Sequence, residues 1–184
     1  MTFSTYPATR DEGADRALPI VIALLGCLAL AARPSLTFIA FGVTLAVGAA
    51  GALAPPTGER QTSAVVTCAV TLLGIAAFAS VRAVAAVPPM PATLATGFMA
   101  IGAAAAEELF FRRFLYGALA GWGPAIAVVV SAIAFALVHI PAYGTAVFPI
   151  DLAAGFVLSW QRWATGSWVS PAASHAAANL MAIL

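Results

Sequence analysis

Two carboxylates and two guanidinium groups lie close together in an otherwise apolar stretch of the sequence. The segment 103–114 reads AAAAEELFFRRF and contains Glu107, Glu108, Arg112 and Arg113. A charged side chain near the centre of a bilayer costs about 3 kcal/mol on insertion scales, so four unpaired charges could cost roughly 10 kcal/mol. Such a cluster persists where it faces a bundle interior or a polar cavity, and it therefore predicts a functional site. The alternative is a structural salt bridge that joins two helices.

The spacing of these charges separates one carboxylate from the rest. In a helix, Glu108 and Arg112 are four residues apart with the acid first, which is the favourable order for an ion pair. Glu107 points about 100° away from Glu108 and has no partner on its own helix. A carboxylate without a partner suits general-base chemistry, so Glu107 is the candidate base.

Composition indicates the class of protein. Of the 184 residues, 62% are hydrophobic and only 8% are charged, whereas a soluble domain carries about a quarter charged residues. The chain is therefore predicted to be a polytopic membrane protein with an all-α fold. A formal net charge of +1 excludes a broadly basic surface for nucleic acid. The two cysteines, Cys27 and Cys68, lie in apolar runs and predict buried free thiols.

Seven apolar segments predict a transmembrane helical bundle of about seven spans. They cover about 17–32, 35–54, 64–80, 93–119, 124–140, 145–161 and 168–184. Residues 1–16 are expected to form an exposed tail, and residues 17–90 the N-terminal transmembrane helices. The first segment could instead be the core of a signal peptide cleaved near Ala29-Leu30-Ala31, although the acid-rich tail argues against this.

The arginines predict an orientation. With seven spans, two groups fall on opposite sides of the membrane: Arg10, Arg16, Arg60 and Arg162 on one, Arg33 and Arg82 on the other. The positive-inside rule then favours a cytoplasmic N-terminus. Arg162 is interpreted as part of an interfacial belt with Trp160, Trp163 and Trp168.

The chain has only two histidines, and each lies in a predicted span. At 1.5 Å per residue, Glu107 and His139 lie roughly 18 and 22 Å from the turn that joins their spans, so they can meet. His175 and Asn179 are four residues apart and share one face of the last span. Phe135, one turn before His139, is expected mainly to pack on the same wall. For each histidine the alternative is a hydrogen bond between helices.

These side chains fit the hydrolysis of an amide. A carboxylate and an imidazole can deprotonate a water molecule, and a second imidazole with an amide N–H can stabilise the oxyanion. Two histidines and a carboxylate can also bind zinc, in which case the ligands would be Glu107, His139 and His175. Because there is no His-Glu-x-x-His helix, we favour water activation without a metal or other cofactor.

Three motifs follow one another on separate spans: Glu107-Glu108-x-x-x-Arg112, Phe135-x-x-x-His139 and His175-x-x-x-Asn179. In this order they resemble the CPBP family of glutamic-type intramembrane proteases. That family includes type II CAAX prenyl endopeptidases and bacteriocin-processing or immunity proteins. The resemblance covers about residues 100–184.

The resemblance implies roles for the motif residues. Glu107 and His139 would activate water, and His175 with Asn179 would form the oxyanion site. Glu108 and Arg112 would be supporting or substrate-orienting residues. Residues 91–184 would form a four-helix catalytic core with its site in a membrane cavity. Family members often have glycine after the motif arginine, where this chain has Arg113.

The leading hypothesis is an intramembrane endopeptidase that cuts a membrane-associated substrate, either a lipidated protein or a peptide precursor. Its partners would be this substrate and the lipid bilayer, and its location a bacterial cell membrane with multi-pass topology. The alternative is a non-catalytic bacteriocin-immunity or peptide-binding protein that uses the same cavity. A small transporter with a proton relay is disfavoured because the sequence has no internal repeat.

Overall fold

The computed structural model of the protein describes residues 12–35, 39–54, 62–85 and 93–183. Within these ranges the chain forms seven helices and no strand, so the predicted all-α bundle is confirmed. Helix α4 is continuous but consists of three segments, Leu94–Glu108, Leu109–Leu115 and Tyr116–Leu119. The other helices are Glu12–Ala32 (α1), Ala40–Leu53 (α2), Ala64–Ala85 (α3), Pro124–Tyr143 (α5), Phe148–Thr165 (α6) and Val169–Ile183 (α7).

Four described segments are long and apolar enough to cross a membrane: Ala17–Ser35, Ala64–Val84, Leu94–Trp122 and Pro124–Tyr143. Helix α2 is equally apolar but has only 14 residues. Large apolar side chains project from the outer surface of the bundle, and a surface of this kind faces lipid rather than water. Leu28, Leu72 and Phe98, for example, are 66%, 64% and 73% exposed. The chain is a membrane protein.

The turn between α4 and α5 forms where the sequence predicts it. Gly123 has φ +104°, a conformation that side chains with a Cβ rarely adopt. Pro124 follows as the first residue of α5, a position where its missing N–H has no consequence. This tight hairpin lays α5 alongside α4, which brings their polar residues to similar depths.

Phenylalanines of the middle segment of α4 form the centre of the core. Phe110 and Phe111 are 1% and 0% exposed and meet edge to face, with ring centroids 5.0 Å apart. Phe111 meets Phe135 of α5 in the same way at 5.4 Å. Leu30 from α1 and Leu158 from α6 complete this cluster and are also fully buried. The core therefore joins α1, α4, α5 and α6 directly beside the charged residues.

Small residues allow α2 to lie against the backbone of α4. A Cβ on Gly48 would lie 2.5 Å from Cα of Ala106, and one on Gly51 would lie 2.6 Å from the Leu109 carbonyl oxygen. Because real side chains essentially never approach this closely, only glycine fits at these two positions. The two contacts hold the stretch of α4 on either side of Glu107 and Glu108.

The prediction that Arg162 belongs to an interfacial belt is wrong. Helix α6 continues one turn beyond its predicted end, to Thr165, and this turn faces the bundle. Arg162 is 1% exposed, and its Nε donates to the backbone carbonyl of Arg112 at 2.9 Å. Its guanidinium lies over the Tyr116 ring, 5.2 Å from the centroid. A buried arginine does not count in the positive-inside rule, so the predicted orientation loses one of its arguments.

Other expectations have mixed outcomes. Trp160 and Trp163 are 37% and 46% exposed, as expected for an aromatic belt. Both cysteines are free, but Cys68 is exposed on the outer face of α3, so its predicted burial is wrong. Helix α1 begins at Glu12, inside the predicted tail. The rest of that tail, residues 1–11, lies outside the described residues, and so does Arg60.

We expect Gly48→Ala to lower the free energy of unfolding by about 1–3 kcal/mol, because the added Cβ forces α2 away from α4. Gly42→Ala on the same helix is the matched control, since no atom lies within 4 Å of its Cβ position. The control should be neutral or stabilising by up to about 1 kcal/mol. Thermal unfolding of the two variants in detergent measures the difference, and equal stabilities would contradict the close contact.

Candidate active site

A cavity of about 320 Å³ opens among α1, α2, α4, α5 and α7. One part of its wall is apolar, with Phe41, Ala103 and Ala142 among the lining residues. The other part brings together side chains that can do chemistry: Arg33, Thr44, Glu107, His139, Tyr143, His175 and Asn179. Four of these, from three different helices, are the residues that the sequence predicts as catalytic.

Glu107 lies at the centre of the polar wall. Its Oε2 is 3.6 Å from Nε2 of His139 and 4.0 Å from Nε2 of His175. All three side chains are largely buried, at 6%, 9% and 10% exposed. The structure therefore brings the predicted carboxylate and both imidazoles around one point, with gaps that are too long for direct hydrogen bonds.

Arg33 is a site residue that the sequence analysis missed. Its Nη1 donates to the other carboxylate oxygen of Glu107, Oε1, and lies 3.4 Å from Oγ1 of Thr44. The sequence indicates Arg33 only as the charged end of the first apolar segment, 74 residues away from Glu107. Glu107 thus has no partner on its own helix, as predicted, but it does have one at the end of α1.

Glu108 and Arg112 form the predicted ion pair. Nη1 of Arg112 lies 2.9 Å from Oε1 of Glu108, and both side chains are completely buried. Nη2 of Arg112 donates to the Gly155 carbonyl at 3.2 Å, and the guanidinium lies 4.6 Å from the Phe135 ring centroid. Neither member of the pair lines the cavity. The pair lies behind the polar wall.

Each histidine is held through its Nδ1 atom. Nδ1 of His139 is 2.7 Å from the Phe135 carbonyl oxygen, which only accepts, so this nitrogen carries the proton. Nε2 of His139 is then an acceptor that faces Glu107. Nδ1 of His175 is 2.9 Å from Oε1 of Glu108, the oxygen that also accepts from Arg112. Glu108 therefore links Arg112 to His175.

Phe135 and Asn179 complete the predicted set. The Phe135 ring lies 4.6 Å from the His139 ring and 5.6 Å from the His175 ring, so it packs against both imidazoles. Nδ2 of Asn179 donates to the Ala100 carbonyl at 3.2 Å. This bond uses one of the two N–H groups of the amide and holds it at the cavity wall. Among the described residues, no acceptor binds the second N–H group.

The segment that carries Arg112 is a π-helix, Leu109–Leu115, and it begins directly after Glu108. Wider helical turns of this kind are rare and frequently occur at functional sites. The apolar pattern of the sequence contains no signal for it. The same segment carries Arg113, whose Nη1 donates to the carbonyls of Gly51 and Ala52, each at 2.6 Å. Arg113 therefore caps the C-terminus of α2.

Asp151 is a further carboxylate close to the site. It lies in the first turn of α6, half-buried, and interacts electrostatically with His139, Glu107 and His175. Its Oδ2 is buried and has no hydrogen-bond partner among the described residues. The sequence shows Asp151 only as an acid within the sixth span, with no motif that connects it to the histidines.

Zinc bound by Glu107, His139 and His175 is the alternative that the sequence leaves open. In the described part of the chain, no group of three or more His, Cys, Asp or Glu side chains is arranged to hold a metal ion. Arg33 also binds one oxygen of Glu107, and its positive charge would repel a divalent cation at this carboxylate. Water activation without a metal stays a prediction.

Fold and site together define a helical membrane protein with a glutamate and two histidines around one cavity. Residues 89–181 match the family model of type II CAAX prenyl endopeptidases, Rce1-like. The chain belongs to this family, which confirms the resemblance expected from the motifs. Comparisons with curated proteins and with solved structures found no match. At the level of the family, the protein is a membrane-embedded CAAX-type endopeptidase that acts on membrane-associated substrates.

We expect Arg112→Ala to destabilise the protein by about 3–5 kcal/mol, because it leaves the buried Glu108 carboxylate without its counter-charge. The double variant Glu108→Gln/Arg112→Met removes both charges and should recover a large part of this loss. Thermal unfolding of the purified variants in detergent measures both effects. A single variant as stable as the wild type, or a double variant less stable than the single one, would contradict the ion-pair assignment.

Proposed function

We propose that the protein hydrolyses a peptide bond of a lipidated or precursor peptide in the membrane by means of a water molecule activated by Glu107 and His139. One observation carries this proposal: Oε2 of Glu107 and Nε2 of His139 face each other across 3.6 Å at the wall of the cavity. Both atoms are proton acceptors when the imidazole carries its proton on Nδ1. A water molecule beside the two can donate one hydrogen to each, which orients its lone pairs towards the cavity.

The reaction then follows from the chemistry of these groups. Glu107 or His139 takes a proton from the water molecule while the water oxygen forms a bond to the carbonyl carbon of the substrate. The carbonyl oxygen becomes an oxyanion. When the C–N bond breaks, the leaving nitrogen takes up a proton from the protonated base. Water is consumed, and one acid and one amine are formed.

His175 and Asn179 are proposed to stabilise the oxyanion. The second N–H of Asn179 can donate to it directly, since the first is occupied by the Ala100 carbonyl. His175 donates from Nε2 only when it carries both protons, because its Nδ1 proton is directed at Glu108. Glu108 and Arg112 act through this contact as supporting residues, since neither lines the cavity.

The apolar part of the cavity supports a membrane substrate. Phe41, Ala103 and Ala142 line it beside the polar groups, and the outer faces of the bundle are apolar. A peptide carried to this depth by a lipid or by its own apolar side chains would reach Glu107 without leaving the membrane. The family description names a substrate of the first kind, a prenylated CAAX protein.

We expect Glu107→Gln to lower kcat by a factor on the order of 10²–10⁴, because the amide is nearly isosteric but is not a base. Tyr143→Phe, on the same cavity wall but with no proposed role, is the control and should keep most of the activity. The assay is cleavage of a fluorescence-quenched farnesylated CAAX peptide by protein in nanodiscs. Wild-type turnover in Glu107→Gln would remove Glu107 from the mechanism. Protection against a bacteriocin that survives in Glu107→Gln would instead favour the immunity alternative.

We expect 1,10-phenanthroline and EDTA to leave the rate unchanged, because Arg33 and not a metal ion neutralises Glu107 in our proposal. Metal analysis of the purified protein by mass spectrometry should find no stoichiometric zinc. Inhibition by the chelator that zinc reverses would contradict metal-free activation of water.

A further inference from the structure

Arg33 differs from the other buried arginines of the bundle in where its guanidinium lies. Arg112 is completely buried behind the site, and Arg162 is 1% exposed against the backbone of α4. Arg33 is 12% exposed and, among the described residues, is the only arginine in the cavity wall. It lies in the 3-10 turn Arg33–Ser35 directly after α1, outside the residues 89–181 that match the family. The cation in this cavity is therefore a feature of this chain's own N-terminal part.

The contacts of Arg33 leave it available to a ligand. Its strong partner is Oε1 of Glu107, and the Oγ1 atom of Thr44, at 3.4 Å, is near the limit for a hydrogen bond. Among the described residues, no backbone carbonyl accepts a hydrogen bond from its guanidinium, in contrast to Arg113, which donates to three carbonyls at the end of α2. A guanidinium with its face to a cavity and one carboxylate partner can bind a second carboxylate in place of the first.

A substrate that binds beside Glu107 must displace or accommodate the Arg33–Glu107 ion pair. The guanidinium occupies one oxygen of the proposed base and lies in the space that the peptide has to enter. Displacing Arg33 from Glu107 by an uncharged group would leave two uncompensated charges in a dry site, which is strongly unfavourable. A substrate that brings its own carboxylate lowers this cost, because Arg33 exchanges one carboxylate for another and only Glu107 is left without a counter-charge.

We propose that Arg33 binds a carboxylate of the substrate and releases Glu107 when it does so. Arg33 is thereby a specificity-determining and positioning residue of the proposed endopeptidase, on whose function the inference rests. The carboxylate can be the free C-terminus of a peptide that ends near the scissile bond, or an acidic side chain in the same position. Both present the planar pair of oxygens that a guanidinium binds.

Three quenched peptides with the same farnesylated cysteine and apolar residues test the proposal. The first ends in a free carboxylate, the second in an amide, and the third in an aspartate whose own C-terminus is an amide. The proteins are the wild type, Arg33→Gln, Arg33→Lys and the control Arg82→Gln. Arg82 is a second partly buried arginine, at the end of α3, where it donates to the Met181 carbonyl and does not line the cavity.

We expect the wild type to prefer the free acid over the amide by about 10- to 100-fold in kcat/KM, the range for a hydrogen-bonded charge pair. Most of the preference should lie in KM. Arg33→Gln should cleave the two peptides within about threefold of each other, by the same principle. Arg33→Lys should keep part of the preference because it keeps the charge. Arg82→Gln should behave as the wild type.

The aspartate peptide distinguishes the two sources of the carboxylate. Cleavage at the rate of the free acid supports recognition of any carboxylate, and cleavage at the rate of the amide supports recognition of the chain terminus. Equal wild-type rates on all three peptides would overturn the proposal, as would an Arg33→Gln variant with the wild-type preference. If Arg33→Gln does not fold, the kcat/KM ratio of the free-acid and amide peptides in the wild type and in Arg33→Lys tests the proposal. Cleavage of none of the peptides by the wild type would contradict the proposed function itself.

Discussion

Charge neutralisation inside an apolar bundle is the constraint on which the rest of this structure depends. Glu107 and Glu108 lie side by side in the sequence but are neutralised by arginines from different parts of the chain. Arg33 reaches Glu107 from the end of α1, and Arg112 reaches Glu108 from the next turn of α4. Without these partners the carboxylates would carry an insertion cost that a small bundle could not offset. The positions of α1 and α4 are therefore tied to the same pair of acids.

The two ion pairs leave the carboxylates with different roles. Glu108 is completely buried, and its carboxylate binds Arg112 and Nδ1 of His175. Glu107 keeps one oxygen turned towards both Nε2 atoms and the cavity. Support and chemistry are thus divided between neighbouring residues because successive residues of a helix point in different directions. The π-helical turn that follows them places Arg112 and Arg113 on separate neighbours, α6 and α2.

Local and nearly local information predicts much of this arrangement. Apolar length predicts the helices, the i, i+4 spacing predicts the Glu108–Arg112 pair, and depth from a tight turn brings Glu107 level with His139. What sequence reasoning misses depends on tertiary contacts. Arg33 looks like an ordinary charged end of a span, because nothing near it in sequence indicates Glu107. Arg162 looks like an interfacial residue, because only the packed bundle shows that the last turn of α6 faces inward.

The shortness of α2 has a consequence for the surrounding lipid. Fourteen residues extend about 21 Å, whereas the hydrocarbon region of a bilayer is about 30 Å thick. A membrane accommodates such hydrophobic mismatch by thinning next to the short helix. The N-terminal end of α2, with Ala40, Phe41 and Thr44, borders the cavity that contains Glu107. A bilayer that thins next to α2 would bring the aqueous phase closer to this cavity and so shorten the path of water to Glu107.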